Sequence, residues 1–264
     1  MNKVIRAEFG RTINAGLIIA IAGIIFSICF DSFNDLIAGL RNGQGYVGYF
    51  FSNAAFGGMC TKYMLPVFTA LPFSVSLCQE RNNKAVSYIV SIEGKNRYIF
   101  AKFIVSAISG GFVAVCGTVL LFLMLAMRFP IAGDEFEGAV VSDYFHEWSA
   151  VYYPQLYILT LSILAFCRGV IWSSLALCVS LYTSDFMVVL LSPFLGSYVL
   201  VRIFQIIRVP DMVRPDMILI GQVVIKSSGV TLIIAIAISL TIVTLIGAFF
   251  VGKMREGLKS GTIY

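Results

Sequence analysis

The chain has 264 residues, of which 59% are hydrophobic and 12% are charged. Soluble domains carry about 25% charged residues, so this composition excludes an ordinary soluble surface. The net charge of +5 indicates basic loops beside a membrane, and the sequence contains no basic folded region that would predict nucleic-acid binding.

Long apolar blocks recur along the chain, and a bilayer core needs about 20 consecutive apolar residues per helix. The sequence therefore predicts an all-α polytopic membrane protein with a single transmembrane domain over residues 1–264 and six transmembrane helices. The predicted spans are about 15–30, 59–78, 103–127, 156–181, 186–206 and 230–251. The second contains Pro66 and Pro72, which a membrane helix tolerates when neighbouring groups satisfy the freed carbonyls.

The segment before the first span predicts a short helix that lies in the membrane interface. Ile5, Phe9 and Ile13 recur every fourth residue and would form one apolar face. Basic residues occupy other positions of the segment: Lys3, Arg6 and Arg11. A cleaved signal peptide is the alternative, but residues 31–35 offer no small-x-small cleavage site, which favours an uncleaved anchor.

The distribution of lysine and arginine predicts that both termini are cytoplasmic, because basic residues concentrate on cytoplasmic loops. Eleven basic residues fall on the side that holds residues 1–14, 79–102 and 253–264, and six fall on the other side. The turn at 182–185 belongs to the side with eleven.

Three longer loops are predicted outside, at about 31–58, 128–155 and 207–229. The middle loop is acidic and contains aromatic residues that suit a membrane interface: Tyr144, Phe145, Trp148, Tyr152 and Tyr153. Residues 217–225 in the last loop are apolar but too short to span, and they predict a re-entrant or interfacial helix.

Sequence motifs for catalysis and for cofactor or metal binding are missing. The chain has no G-x-x-x-x-G-K-[ST] phosphate loop, no G-x-S-x-G elbow and one histidine, His146, in the middle outer loop. The six cysteines lack a C-x-x-C pair and predict reduced thiols, although Cys29 and Cys60 lie near outer helix ends where a disulfide would be allowed. We therefore expect no catalytic, cofactor or metal site.

The loop at 79–103 is the most informative segment. It begins with Glu80-Arg81, continues into a weakly amphipathic stretch at 84–92, breaks at Glu93-Gly94 and enters the third span through residues 97–102. Six charged residues in it are candidates for contact with a soluble partner: Glu80, Arg81, Lys84, Glu93, Arg97 and Lys102. An ordinary positive-inside connector is the alternative.

This arrangement resembles the permease subunits of type-2 ATP-binding-cassette (ABC) transporters, the exporter class with six helices per subunit. In that family an N-terminal interfacial helix precedes a helix pair. The next cytoplasmic loop carries an acidic residue, a coupling helix and a basic-aromatic entry that ends in lysine. Glu80, the 84–92 stretch and Arg97-Tyr98-Ile99-x-x-Lys102 match that pattern.

The resemblance implies a permease for an amphipathic substrate, such as a peptide antibiotic, a drug or a lipid-like molecule, in the plasma membrane. It implies separate ATPase subunits that hold ATP and Mg²⁺, a second permease copy or a related permease, and contacts with membrane lipids. A role in antibiotic or bacteriocin resistance or immunity would follow. The chain itself would perform no covalent chemistry.

Arg168 is a charge near the middle of the fourth span, where it costs at least about 2.5 kcal/mol. Small residues at Ala165, Gly169 and Ser173 predict close helix packing beside it, and Trp172 lies one turn away. Arg168 and Trp172 are candidates for the transport path or its gate. A structural hydrogen-bonding role for Arg168 is the alternative.

Two other functions remain as alternatives. An ion-gradient-driven transporter would be expected to carry intramembrane acids and internal repeats, and the predicted spans show neither. A membrane-embedded enzyme would need paired polar catalytic groups at membrane depth, which the spans also lack.

Overall fold

The structure, a computed structural model, describes residues 2–42, 47–51, 58–131, 154–223 and 225–260. All regular secondary structure in these residues is helical. The helices are α1 Asn2–Thr12, α2 Ala15–Asp31, α3 Phe33–Asn42, α4 Val47–Phe51, α5 Met59–Ala70, α6 Ser76–Asn82, α7 Val86–Glu93, α8 Lys95–Ala126, α9 Pro154–Val179, α10 Phe186–Ile207, α11 Pro215–Ile220 and α12 Ser228–Ser260. A short 3-10 turn, Asp211–Val213, precedes α11.

Four of these helices, α8, α9, α10 and α12, are long and apolar enough to cross a membrane. A bent pair, the end of α1 with α2, would make a fifth span if the pair is counted as one, and the bend between its two parts is 58°. The chain is therefore an all-helical membrane protein with four to five candidate spans among the described residues. The predicted bounds of the first, fourth and fifth spans agree with α2, α9 and α10 to within about two residues.

The prediction of one continuous second helix over 59–78 is wrong. The chain forms α5, turns at residues 71–75 and resumes as α6. Pro72 lies in this turn, where its ring prevents the helix from continuing. Ser74 is buried there, 2.9 Å from the carbonyl oxygen of Ser173 in α9 and 3.1 Å from the hydroxyl of Ser106 in α8. The irregular backbone is therefore held inside the protein, as membrane proteins require.

The α5–α6 segment runs antiparallel to α2 along its length. At one end, the Asp31 carboxylate accepts hydrogen bonds from the backbone N–H groups of Cys60 and Thr61 at 2.9 and 2.6 Å. At the other end, Glu80 of α6 pairs with Arg11 at the end of α1. The broken segment thus covers the same height as the neighbouring helix.

Helices α8 and α9 form the closest helix pair, as the small-residue stripe predicted. A Cβ atom placed on Gly169 would lie 2.5 Å from the carbonyl oxygen of Gly110 and 2.9 Å from the Cα atom of Gly111. A side chain at Gly110 would meet Ser173 of α9 in the same way. Glycine at these positions lets the two backbones touch.

Two helix ends extend beyond the predicted spans. Helix α8 starts at Lys95, eight residues before the predicted start, and α12 continues to Ser260, nine residues past the predicted end. Hydropathy detects the apolar part of a helix, and both extensions are polar. The extensions meet: the Lys95 ammonium group donates to the Arg255 carbonyl oxygen at 3.0 Å.

One end of the bundle, called here the α7 end, gathers α1, α6, α7, the start of α8, the end of α9 and the end of α12. A buried apolar cluster joins all of these elements except α1: Leu77, Val86, Tyr98, Ile99, Leu177, Cys178, Leu181, Phe250, Met254 and Leu258. The described parts of all four segments predicted to be cytoplasmic lie at this end.

The opposite end carries short helices. α3 and α4 lie in the predicted loop 31–58, and α11 begins in the predicted 207–229 loop. The segment predicted to be helical at 217–225 is helical only in its first part, because α11 ends at Ile220. Ile218, Leu219 and Ile220 of α11 are buried against the bundle. The acidic and aromatic residues of the middle loop, with His146, lie outside the described residues. All six cysteines are free.

Candidate functional site

A cluster of buried charged groups lies at the α7 end. Glu8 and Arg11 come from α1, Glu80 from α6, and Tyr98 and Lys102 from the first turns of α8. Glu8, Glu80, Tyr98 and Lys102 are each no more than 3% exposed. The cluster joins α1 to α6 and α8, which lie much further along the sequence.

Every charge in this cluster has an opposite partner. The Lys102 ammonium group lies 2.7 Å from Glu80 Oε1 and 3.1 Å from Glu8 Oε2, and it also lies over the ring of Phe73 at 4.8 Å. Glu80 accepts further hydrogen bonds from the Tyr98 hydroxyl, at 2.5 Å, and from Arg11. Charge-assisted hydrogen bonds are about twice as strong as neutral ones, so the network ties α1 firmly to α6 and α8.

The surroundings of Glu80 decide its protonation. Burial alone would raise the pKa of this carboxyl, but Lys102, Tyr98 and Arg11 favour the charged form and hold its pKa below the ordinary value. Glu80 is therefore ionised at neutral pH. Its side chain and that of Lys102 face the protein interior, so any part that they take in contact with a partner is indirect.

Arg81 lies at the end of α6 and joins two turns at the α7 end. Its guanidinium donates to the carbonyl oxygens of Ser180 and Leu181 at 2.8 and 3.1 Å, and the neighbouring Asn82 amide donates to the Ser184 carbonyl oxygen at 3.1 Å. Arg81 thereby satisfies free carbonyls just past the end of α9. The two turns predicted to be cytoplasmic form one connected surface.

Helix α7 confirms the predicted short amphipathic helix. Val86 is buried, and Ile89 and Val90 pack against the apolar cluster at the α7 end. The opposite face exposes two large side chains, Tyr88 at 70% and Ile92 at 66%. This helix therefore packs through one apolar face and leaves a second one uncovered.

The remaining predicted contact residues surround α7. Lys84 and Arg97 are exposed, whereas Glu93 is half-buried at the end of the helix. One carboxylate oxygen of Glu93 is buried without a hydrogen-bond partner among the described residues. Burial, with the charge of Glu8 as a smaller cause, raises the pKa of Glu93.

Arg168 lies near the middle of α9 and is 7% exposed. Its one described hydrogen bond is long: the guanidinium is 3.4 Å from the carbonyl oxygen of Thr61 in α5. No described acidic group forms an ion pair with it. A guanidinium carries five N–H donors, so most of its hydrogen-bonding capacity is unused by the described protein groups.

Arg168 borders a cavity of about 160 Å³ where α5, α9, α10, α11 and α12 meet. The lining is mostly apolar: Ile171, Trp172, Leu175, Gly196, Leu200, Val201, Pro215, Leu219, Ile220, Ile242 and Ile246. The polar lining groups are Lys62, Arg168, Ser197 and Asp216. Trp172 thus shares the cavity with Arg168, but among the described residues its indole makes no cation–π contact with the guanidinium.

Sequence reasoning missed Glu8, Tyr98 as a buried donor, and Lys62. Glu8 is the only acid in the first 30 residues, within an otherwise basic segment, and that isolation was the available signal. Among the described side chains of α1, Glu8 and Thr12 are buried in the protein, while Ile13, just after the helix, is 79% exposed. The prediction that the apolar face of this segment lies in the membrane interface stays a prediction.

In the part of the chain that the structure describes, no group of three or more His, Cys, Asp and Glu residues is placed to hold a metal ion. The chain matches no protein-family model, no curated protein and no solved structure, so its assignment depends on the two buried charged regions and on the surface of α7.

Proposed function

We propose that this chain is the membrane-spanning permease subunit of a type-2 ATP-binding-cassette exporter in the plasma membrane. Two permease subunits, identical or related, would enclose the path of an amphipathic substrate. Separate ATPase subunits would bind ATP and Mg²⁺ and dock against the α7 end. By exporting a peptide antibiotic, a drug or a lipid-like molecule, the complex would confer resistance or immunity.

The observation that carries this proposal is the placement of α7. Its inner face packs on residues from α8, α9 and α12, and its outer face presents Tyr88 and Ile92. Exposed apolar side chains rimmed by charge, here Lys84 and Arg97, are typical of a surface that binds another protein. A soluble partner that pressed on α7 would act on three spans at once.

The ionic contacts at the α7 end favour transmission of such a push. Arg81 fixes α6 to the chain just past the end of α9, and Lys95 fixes the start of α8 to the end of α12. The cluster around Lys102 fixes α1 to the same structure. Rigid connections of this kind turn a displacement at one surface into a tilt of packed helices.

The proposal includes six crossings with both termini in the cytoplasm. The broken segment at 59–78 would be the second crossing, since it covers the height of α2 between Asp31 and Glu80. The excess of basic residues near the α7 end supports a cytoplasmic position for that end. An accessible-cysteine probe at position 140 should react from outside and a probe at position 95 should not, and the reverse pattern would contradict this topology.

Two helices provide surface for lipid or for the second permease. α10 and α12 expose many apolar side chains along their length, including Leu195, Ile203, Ile233, Leu240 and Leu245. So much exposed apolar surface would be unfavourable in water, so a bilayer or another apolar helix must cover it.

The test changes the outer face of α7 without touching its inner face. In Tyr88→Glu with Ile92→Glu, charge replaces two exposed apolar side chains. The tagged permease is purified from native membranes, and the vanadate-sensitive ATP turnover that copurifies with it is measured. We expect turnover to fall by about tenfold or more, the effect of losing a central apolar contact.

The matched control is Met212→Glu with Val213→Glu, two residues that are 67% and 66% exposed at the opposite end of the bundle. This control should keep the copurifying ATP turnover. The exporter proposal fails if no ATP turnover accompanies the unaltered permease, or if the α7 variant retains all of it.

A further inference from the structure

Among the described residues, the side chains that line the cavity beside Arg168 include two cations, Lys62 and Arg168, and one acid, Asp216. Asp216 lines the cavity, but its carboxylate is held by Arg214 of the same loop through contacts of 2.8 and 3.3 Å. The Asp216 and Arg214 side chains are only 8% and 6% exposed. Arg214 also pairs with the exposed Asp211 at 3.1 Å, and within the described chain Asp216 forms its ion pair with Arg214, not with Lys62 or Arg168. Lys62 and Arg168 remain as two cationic groups at the cavity.

Both cationic side chains line this cavity, at a height where α5 and α9 are in contact. The Arg168 guanidinium reaches the carbonyl oxygen of Thr61, the residue before Lys62. Lys62 is half-buried and forms no ion pair within the described chain. Like charges repel more strongly when they are removed from water, so an anion between them would stabilise both.

The polar and apolar parts of the lining occupy different levels. Lys62 and Asp216 lie toward the end opposite α7, and Arg168 is near the middle of α9. Leu175 lies seven residues beyond Arg168, about 10 Å along the helix, and Ile246 of α12 lines the same deeper part. The cavity is therefore cationic at one level and apolar toward the α7 end.

We propose that this cavity binds a single-chain amphiphile with an anionic head, a carboxylate or a phosphate. Arg168 and Lys62 pair with the head, and Ile171, Trp172, Leu175 and Ile246 surround the start of the chain. The volume of about 160 Å³ is close to that of engineered apolar cavities that admit benzene. The first carbons of one chain fit such a space and the rest of a long chain must extend out of it, whereas two chains side by side exceed it.

This inference depends on the proposed function only for the role of the ligand, which would be the exported substrate or a close analogue of it. Binding itself requires no ATPase. Its test uses the permease alone, so loss of binding would leave the exporter proposal standing, and loss of copurifying ATP turnover would leave the binding site standing.

The fluorescence of a native tryptophan can report binding in the cavity. It contains two tryptophans, Trp148 and Trp172, and Trp148→Phe leaves only the indole in the cavity. The purified chain in zwitterionic nanodiscs is titrated with a long-chain alkyl phosphate that carries bromine on one of its first chain carbons, next to the head, where the bromine quenches indole fluorescence on contact. We expect saturable quenching, and half-saturation by the matching brominated alcohol at a concentration about tenfold or more higher.

Variants of the two cationic residues test which side chain binds the anionic head. In the Trp148→Phe background, Arg168→Gln should weaken alkyl phosphate binding about tenfold or more and leave alcohol binding unchanged. Arg168→Lys should keep most of the affinity for the anion. Arg202→Gln, which removes an exposed arginine on α10, is the matched control and should bind like the parent. If Arg168→Gln does not purify as a folded protein, Lys62→Gln is expected to show a weaker loss of the same kind.

Four results would overturn the proposal. Equal binding of alkyl phosphate and alcohol would show that charge does not matter. Unchanged binding by Arg168→Gln, or by Lys62→Gln where that variant decides, would remove the residues from the site. Quenching by a brominated phosphatidylglycerol at or below the concentration needed for alkyl phosphate would assign the cavity to a bilayer lipid. Inorganic phosphate should not compete, and competition by it would show a simple ion site instead of an amphiphile site.

Discussion

Lys102 and Arg168 are two buried cations in neighbouring helices, and their surroundings differ completely. Lys102 is fully buried, pairs with Glu8 and Glu80, and lies over an aromatic ring. Arg168 is 7% exposed and reaches one carbonyl oxygen at 3.4 Å. The first charge is balanced by the fold, whereas the second borders a cavity and is left unbalanced by the described residues.

Whether a buried charge is paired within the fold helps to distinguish a structural charge from a functional one. A buried ion pair is weak evidence for net stability, but loss of one partner is strongly destabilising because the other charge is left uncompensated. An unpaired buried charge lowers stability as it stands, and such violations are expected at functional sites. On this reasoning we propose that the Lys102 cluster holds α1 to the bundle and that Arg168 meets a ligand.

The largest effect is expected when the balanced cluster is broken. Lys102→Met removes the buried one of the two cations that Glu8 and Glu80 share, the other being Arg11. It should lower the free energy of unfolding toward the lower end of the range of about 3–5 kcal/mol. Denaturation of the purified chain in mild detergent measures this. Lys84→Met, which removes an exposed lysine at the same end, is the control and should change it by about 0.5 kcal/mol or less. A similar result for both variants would mean that the cluster contributes little.

The next effect tests whether the position of Arg168 depends on the contact between α8 and α9. Gly169→Ala adds a methyl group that would meet Gly110 at 2.5 Å, so the helices must separate. Overpacking of this kind costs about 1–3 kcal/mol, and we expect weaker anion binding as well because Arg168 is the adjacent residue. Gly252→Ala in α12 adds the same methyl group in open space and should be neutral in both measurements.

Acid should weaken the balanced cluster. The folded pKa of Glu80 lies below the ordinary value of 4.5, so its contribution to stability is present above that value and is lost as pH falls through the lower folded pKa. The unfolding free energy should therefore be level near neutral pH and decrease below pH 4.5. In Glu80→Gln this decrease should be smaller, whereas Glu256→Gln, at an exposed site on α12, should retain it. An acid response that is identical in all three proteins would contradict the assignment.

The sequence predicted the helices whose apolar runs are continuous, and it failed where helices continue in polar sequence. α2, α9 and α10 end close to their predicted limits because the limits of the apolar run and of the helix coincide. The polar start of α8 and the polar end of α12 have no hydropathy signal, although Lys95 and Arg255 are helical and in contact. Pro72 could be read from the sequence, but the break between α5 and α6 is stabilised by hydrogen bonds of Ser74 to residues of α8 and α9, which the sequence does not show.

The candidate sites divide in the same way. Arg168 could be found from sequence because a single charge interrupts an apolar run, and the loop helix α7 could be found from its amphipathic pattern. The cluster around Lys102 could not be found, because it joins residues that are 94 positions apart and no local pattern encodes that pairing. In the sequence, Lys62 is only a basic residue near a helix end. Its place in the cavity depends on how α5 packs beside α11, which no local pattern predicts.

One measurement compares the two cations directly. The thermal midpoint of unfolding is recorded for the parent chain, Lys102→Met and Arg168→Leu, each with and without a saturating long-chain alkyl phosphate. We predict that Lys102→Met lowers the midpoint and keeps the ligand-induced rise. Arg168→Leu should keep the parent midpoint or exceed it, since one weak hydrogen bond is lost and an unbalanced charge is removed, and it should lose the ligand-induced rise. A large drop for Arg168→Leu with an intact ligand response would contradict the account and make Arg168 the structural charge.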